Sequence, residues 1–396
     1  MKIAYIVKRV GPYHRARLQA AAARADVRAV QLFAFERTYE WSTEDLSQLR
    51  VTTLSEHESS LSVRDLNRIL IEALQASDPE VVCIPGYAEP TSLAALDWCK
   101  ARGRGAVLLS ESQAQDAPRI AITEFVKRQI VRAYDAALVG GTTHRAYARA
   151  LGLEDGRIFE GYDVVDNDYY AIASANARRE RETRVLLGLP ERYIFACSRF
   201  VEKKNLPGLL RAYRLYTKRT ADPWPLVIAG DGPLRPVIER AIDDLGLKNL
   251  VQLRGFVQYK ELPAFFGCAG FFVHAATTEQ WGLVVNEAMA CSLPVVVSER
   301  CGCAPDLVRR GENGFAFQPD DEDGLAKILY TLSSDASLRS KMSQRSRDVI
   351  NGWSLNRFVE SLLAACSMAR NSRRTTLVGW TAIRATRVAS GWRAAL

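Results

Sequence analysis

The 396-residue chain has no run of 18 apolar residues, so no segment suits a bilayer-crossing helix. The apolar run within residues 1–9 is only five long, too short for the core of a secretory signal, and a cytoplasmic protein is expected. Its eight cysteines (83, 99, 197, 268, 291, 301, 303 and 366) make no CxxC pair, and Cys301-Gly302-Cys303 has no second half. That argues against a zinc site and a disulfide framework, and for reduced thiols. No GxGxxG follows the first apolar run, where Val7-Lys8-Arg9-Val10-Gly11-Pro12 stands; a nicotinamide enzyme is disfavoured. No repeat of fixed period is visible. Acidic residues are absent from Arg370 onward, where six arginines stand (Arg370, Arg373, Arg374, Arg384, Arg387, Arg393). Of the net charge of +8, only +2 is left for the other 369 residues. A nearly neutral body with a basic tail is not a nucleic-acid binder, and no nucleic-acid partner is expected.

What is present is a folded, two-domain composition, 48% apolar and 25% charged. Short apolar runs alternate with longer helical patterns. In the first half the runs are Ile3–Val7, Val27–Phe33, Val81–Ile84, Ala106–Leu109, Ala136–Val139 and Arg157–Glu160. Helical patterns separate most of them, at Tyr13–Arg24, Arg64–Gln75, Thr91–Ala101 and Ile120–Tyr134. The series restarts with Tyr193–Cys197, Leu226–Ala229, Val251–Leu253, Gly270–His274, Pro294–Val297 and Gly314–Phe317. Continuous apolar strands between amphipathic helices predict parallel sheets covered on both faces. Expected are a first domain over 1–170, a linker over 171–190, a second domain over 191–366 and a basic tail over 367–396. Ligands of such sheets bind beyond the carboxyl ends of the strands.

Two stretches carry candidate chemistry. Glu279-Gln-Trp-Gly282-Leu283-Val284-Val-Asn-Glu287 follows a strand and opens a helix near Gly282. Amides at a helix N-terminus, with the positive end of its dipole, suit a phosphate. Eight residues at about 1.5 Å each span about 12 Å of helix, so Glu279 and Glu287 could reach hydroxyl groups on either side of a diphosphate. A surface carboxylate pair on an ordinary helix fits the spacing as well. Arg199 and Lys204, five apart across a strand-to-helix turn, could converge on one anion, or simply line a solvated loop.

Taken together these residues closely resemble the retaining glycosyltransferases of the GT-B fold, the large family 4 group. The resemblance runs in order from about 193 to 330: Arg199 and Lys204, Gly230-Asp231-Gly232-Pro233, Arg254-Gly255-Phe256-Val257, Glu279 to Val297, Cys301-Gly302, and Gly311 to Phe315. It implies two doubly wound Rossmann-like domains facing a central cleft. It also implies a hexose-type sugar moved from a nucleotide-diphosphate donor to a saccharide or lipid-linked acceptor, with retention. By the same resemblance Arg199 and Lys204 are diphosphate ligands, Glu279 contacts the donor sugar and Glu287 the ribose. The amides of Gly282, Leu283 and Val284 hold the distal phosphate, and Gly255, Phe256 and Val257 line the base. No cofactor and no metal are expected. A nucleotide-sugar epimerase, or another enzyme on this scaffold, is the alternative.

The first half departs from the family. Gly11 and His14 stand where an acceptor or phosphate loop is expected, without its Gly-Gly pair. The strand end that commonly carries a histidine reads Leu109-Ser110-Glu111-Ser112. His144 begins a helix and reads as structural. Asp166 and Asp168 resemble a metal-binding Asp-x-Asp but precede the expected linker, which favours a hinge or cap. The tail, with Trp380 and Trp392 among its arginines, suits an anionic membrane surface, hence peripheral contact at the inner membrane face. Its helical wheel mixes the two sets, which suits a segment packed back on the first domain instead.

Overall fold

The computed structural model describes residues 1–35 and 44–372. The chain divides into two units, one of residues 1–164 with 355 onward, the other of residues 165–354.

The first unit contains β1 (Lys2–Val7), α1 (Pro12–Ala22), β2 (Asp26–Phe35), β3 (Val51–His57), α2 (Val63–Ser77), β4 (Val81–Pro85), α3 (Pro90–Arg102), β5 (Gly105–Ser110), α4 (Ala121–Val131), β6 (Ala136–Val139), α5 (Thr142–Ala150) and β7 (Ile158–Glu160). Its strands are parallel, in the order β3-β2-β1-β4-β5-β6-β7. Strands β4, β5 and β6 are buried almost throughout, as a sheet covered on both faces requires. Strand β3, absent from the expected series, is one of the two edge strands. Its residues are half-buried or exposed, so it offers no continuous apolar run.

The second unit contains α6 (Asn167–Arg179), α7 (Arg181–Leu186), β8 (Ile194–Cys197), α8 (Leu206–Thr217), β9 (Leu226–Ala229), α9 (Arg235–Asp244), β10 (Val251–Leu253), α10 (Leu262–Cys268), β11 (Phe271–His274), α11 (Leu283–Ala290), β12 (Val295–Ser298), α12 (Ala304–Leu307), β13 (Gly314–Phe317), α13 (Glu322–Ser334) and α14 (Ala336–Asn351). Its sheet is parallel in the order β10-β9-β8-β11-β12-β13. The strand order reverses between β8 and β11, which opens a crevice at their carboxyl ends.

The expected domain limits need two corrections. Residues 171–190 are not an extended linker, because they lie largely in α6 and α7. Helix α6 packs closely on α10: a Cβ at Gly267 would come within 2.5 Å of the Ser174 carbonyl oxygen. Arg178 fastens that contact by donating to the carbonyls of Gly267 (2.9 Å) and Cys291 (3.0 Å). Nor does the second unit run to 366, because α15 (Leu355–Asn371) belongs to the first. It packs on β4, β5, β6, β7 and α1. The approach is so close that a Cβ at Gly105 would sit 2.9 Å from the Ala369 backbone. Arg370 reaches Glu80 at 3.5 Å. Residues 373–396, with most of the expected tail, lie outside the described residues.

Candidate functional site

Three loops of the second unit meet at the reversal of its sheet. The first leaves β8 and carries Arg199, Lys203 and Lys204. The second leaves β11 and carries Glu279 and Gly282. The third follows β12 and carries Arg300 to Cys303. Backbone hydrogen bonds join them: Thr277 N–H to Lys203 O (2.9 Å), Glu279 N–H to Arg300 O (3.3 Å), Gly302 N–H to Glu279 O (3.0 Å) and Cys303 N–H to Trp281 O (3.2 Å). Trp281, itself buried, donates from Nε1 to Asn286 Oδ1 at 2.8 Å, which ties the loop to α11. Gly282 caps that helix at φ +103°, in the left-handed region where glycine is least strained.

Charges converge inside this frame. Lys204 Nζ and Glu279 Oε2 form an ion pair, and Lys203 Nζ lies 3.9 Å from Glu279 Oε1. The side chains of Lys204 and Glu279 are 12% and 10% exposed, so the pair is largely sheltered yet still open to a ligand. Burial lowers the Lys204 pKa to about 8, and the like charges of Lys203 and Arg199 push the same way. Glu279 in contact opposes that shift. An ammonium held among other cations is well prepared for a polyanion.

His274, the last residue of β11, completes the group. Its Nε2 lies 3.3 Å from Glu279 Oε2, and its ring is nearly parallel to that of Phe272, centroids 6.3 Å apart. Burial holds its pKa well below the usual imidazole value, with Lys204 and Lys203 adding to the effect. A pKa so lowered leaves the ring neutral near pH 7, and its proton is assigned to Nε2 because an ionised carboxylate only accepts. Sequence reading passed over His274 as a strand end. The available signal was a polar residue closing an otherwise apolar β11, five positions before Glu279.

Glu279 lies in the loop before α11, so the 12 Å helical spacing to Glu287 does not apply. Glu287 is on the helix and fully buried, and Glu279 is 8% exposed, which removes the reading of a surface pair. Cys197, at the end of β8, senses the Glu287 charge: burial first, then that carboxylate, raise its pKa. Leu283 and Val284 form the first turn of α11. Gly255 has φ +70° and its carbonyl accepts from Gly230 N–H at 2.7 Å, so the Gly255-Phe256-Val257 turn lies against the Gly230-Asp231-Gly232 turn. A Cβ at Gly230 would sit 1.8 Å from the Ser198 carbonyl oxygen, so only glycine brings that turn so near the loop holding Arg199.

In the first unit Gly11 caps α1, and nothing would obstruct a Cβ there. His14, in the first turn, has its pKa lowered to about 3 by burial and by Arg17. His144 is structural: it is buried, and its Nδ1 accepts from Gly141 N–H at 3.1 Å at the start of α5. Asp166 accepts from Tyr169 N–H at 3.0 Å as the cap of α6, and Asp168 lies in that helix's first turn.

Residues 178–349, nearly all of the second unit, match the family described as Glycosyl transferases group 1. The chain carries a group 1 glycosyltransferase domain. Among curated relatives, it is similar to the GDP-mannose-dependent alpha-(1-6)-phosphatidylinositol monomannoside mannosyltransferase of Mycolicibacterium smegmatis, 31% identical over 48% of this chain and 50% of that one. It is also similar to the alpha-D-kanosaminyltransferase of Streptomyces kanamyceticus, 29% identical over 46% of each. The chain spans about half the length of these relatives or less. Among solved structures, a glycosyltransferase from Rickettsia africae superposes with a TM-score of 0.74 at 15% identity, covering 94% of this chain and 99% of that one. Anabaena HepE, solved with UDP and glucose, gives 0.72 at 17% identity, over 93% and 99%. The fold class is GT-B, as the glycosyltransferase motifs implied. No helix among the described residues is long and apolar enough to cross a membrane.

Proposed function

We propose that the chain transfers a hexose-type sugar from a nucleotide-diphosphate donor to a saccharide or lipid-linked acceptor, with retention and without a metal. Synthesis of a surface polysaccharide or glycolipid is the setting that fits its relatives' names. The observation that carries this reading is the meeting of Lys204, Glu279 and the N-terminus of α11 where the second sheet reverses. In this reading Arg199, Lys204 and the amides of Gly282, Leu283 and Val284 hold the diphosphate. Glu279 accepts from a sugar hydroxyl, Glu287 from the ribose, and the Gly255–Val257 turn borders the base. Gly11 and His14 are the acceptor-side candidates of the first unit.

The bond from the anomeric carbon to the phosphate oxygen breaks, and its electron pair leaves on the diphosphate. The acceptor oxygen bonds to the same face of that carbon, and its proton passes to a phosphate oxygen. Preplaced cations and amides stabilise the charge that grows on the leaving group. They neutralise the diphosphate without a divalent ion, so turnover is expected to survive EDTA.

A panel of UDP-, GDP- and ADP-sugars, with and without acceptors, tests the reading. Glu287→Ala should weaken free nucleotide and donor alike by roughly 1.5–3 kcal/mol, the worth of a charged hydrogen bond. Unchanged nucleotide affinity by calorimetry removes that role. Rapid donor turnover with no acceptor would favour an epimerase.

A further inference from the structure

Glu279 Oε2 is shared by two donors of different kind, the Lys204 ammonium and the neutral His274 imidazole. The first is a cation on a long side chain, and an incoming anion draws it far more strongly than a neutral N–H. A diphosphate carries more charge than one carboxylate and should draw Lys204 to itself. Glu279, nearly sealed from water, then loses its nearest cation. Lys203 stands near the other oxygen but is 37% exposed and, at 3.9 Å, beyond hydrogen-bond reach. We propose that His274 is a positioning residue, which holds the Glu279 carboxylate in place when a donor diphosphate takes Lys204 from it.

The proposal rests on the assignment of Lys204 to the diphosphate and Glu279 to the sugar. A neutral donor suits the task better than a third cation. It fixes one oxygen without cancelling the carboxylate's charge, so Glu279 can still accept from a sugar hydroxyl. The groups shown at Glu279 include Lys203 and Lys204 from the loop after β8, with Arg199 acting on Lys204, His274 from β11, and the backbone of Arg300, Cys301 and Gly302 from the loop after β12. Cys301 is buried with its pKa raised, which leaves it neutral. His274 is a buried group within hydrogen-bond distance of the Glu279 carboxylate, at 3.3 Å.

The full chain, His274→Leu, His274→Asn, His274→Gln and Lys204→Ala are compared for UDP and GDP affinity and for donor turnover from pH 5 to 9. The Gln amide can reach where Nε2 stands, whereas the Asn amide stops short. Both amides are polar, so a folding defect common to all variants is told apart from a lost hydrogen bond. His274→Leu and His274→Asn should lower kcat by about tenfold or more, the equivalent of one lost bond to a charged group. The acid limb of their kcat/KM profile should move to higher pH, because a carboxylate without its donor is protonated more easily. His274→Gln should stay within about threefold with an unmoved limb. If Lys204→Ala loses nucleotide affinity while all three His274 variants keep the parent's kcat and acid limb, the proposal falls and the donor assignment stands. If Lys204→Ala binds UDP and GDP as the parent does, the donor assignment falls and takes the proposal with it. A His274→Gln variant as impaired as His274→Leu also overturns it, since shape rather than the hydrogen bond would then matter.

Discussion

At the reversal of the second sheet, Lys204 meets Glu279 with both side chains at least 10% exposed. In the first unit, Arg17 from α1 meets Asp163 from beyond β7 with 3% and 1% exposed. The second pair is sealed on every side. Arg17 Nε donates to the Val164 carbonyl at 3.0 Å, its guanidinium lies over the Tyr162 ring at 5.2 Å, and a Cβ at Gly140 would stand 2.8 Å from Asp163 Oδ2. A carboxyl packed in so tightly has no room for a ligand, and its desolvation offsets much of the attraction of Arg17. The accessible pair keeps both its charge and an approach. Closely related chemistry therefore does two jobs, a brace in one unit and a candidate anion site in the other.

The largest expected effect tests the open pair. Replacing Arg199 and Lys204 together by alanine should lower donor turnover by about a thousandfold, since removing one such transition-state donor typically costs a hundredfold or more. The loss should be similar for every donor sugar, because the diphosphate is common to all. Near-normal turnover in the double variant would end the assignment.

The next sharpens it through protons. Lys204 has its pKa lowered to about 8, and a bound diphosphate would favour the charged ammonium. Nucleotide affinity should be flat below that value and fall as pH rises through it, by up to about tenfold per unit. Binding near pH 8.5 should take up a proton. Calorimetry in two buffers of different ionisation enthalpy measures this directly, and no proton uptake would contradict the contact.

The sealed pair should answer to pH in folding rather than in binding. Burial, then the neighbouring Glu111 carboxylate, raise the Asp163 pKa well above its ordinary value against the pull of Arg17. Above the unfolded value near 4 the native state therefore holds the extra proton, and its stability declines as pH rises toward the native pKa. Each pH unit in that window costs about 1.4 kcal/mol. Asp163→Asn has no such proton to lose and should show a shallower decline. Amide exchange in β1 and β4 between pH 5 and 8 reads the first unit by itself; equal slopes in the two proteins would refute the account.

Legibility differed between the two units for physical reasons. Every strand of the second sheet was marked by an apolar run, and Gly282 with Glu279 and Glu287 lay within one local stretch. In the first unit β3 escaped because an edge strand buries too little to need such a run. The return of α15 escaped because an amphipathic helix reads the same whichever sheet it covers. Its sign was Gly105, a glycine that opens β5 and leaves space for the Ala369 backbone, and only the packing reveals that. The Arg17–Asp163 pair spans most of the first unit in sequence and carries no spacing signal at all.

The smallest expected effect concerns the chain beyond α15. The sequence favours a basic tail packed on the first domain over one lying on a membrane, because its helical wheel mixes arginines with apolar residues. Helix α15 now supplies a brace that ends by Asn371, with Ala369 against β5, Cys366 Sγ 3.6 Å from Cys83 Sγ, and Arg370 near Glu80. A chain ending at Ser372 keeps all of these contacts. Its melting temperature should stay within about 2 °C of the parent, the scale of a shift well under 1 kcal/mol. What it loses is five arginines with Trp380 and Trp392, a composition that favours anionic lipid by about 1 kcal/mol per cation near the surface. The parent should co-sediment with vesicles containing phosphatidylglycerol at low salt and release them at high salt, while the truncate should do neither. A drop of many degrees in the truncate would return the tail to a bracing role. Equal sedimentation of both proteins would place any membrane affinity elsewhere in the chain.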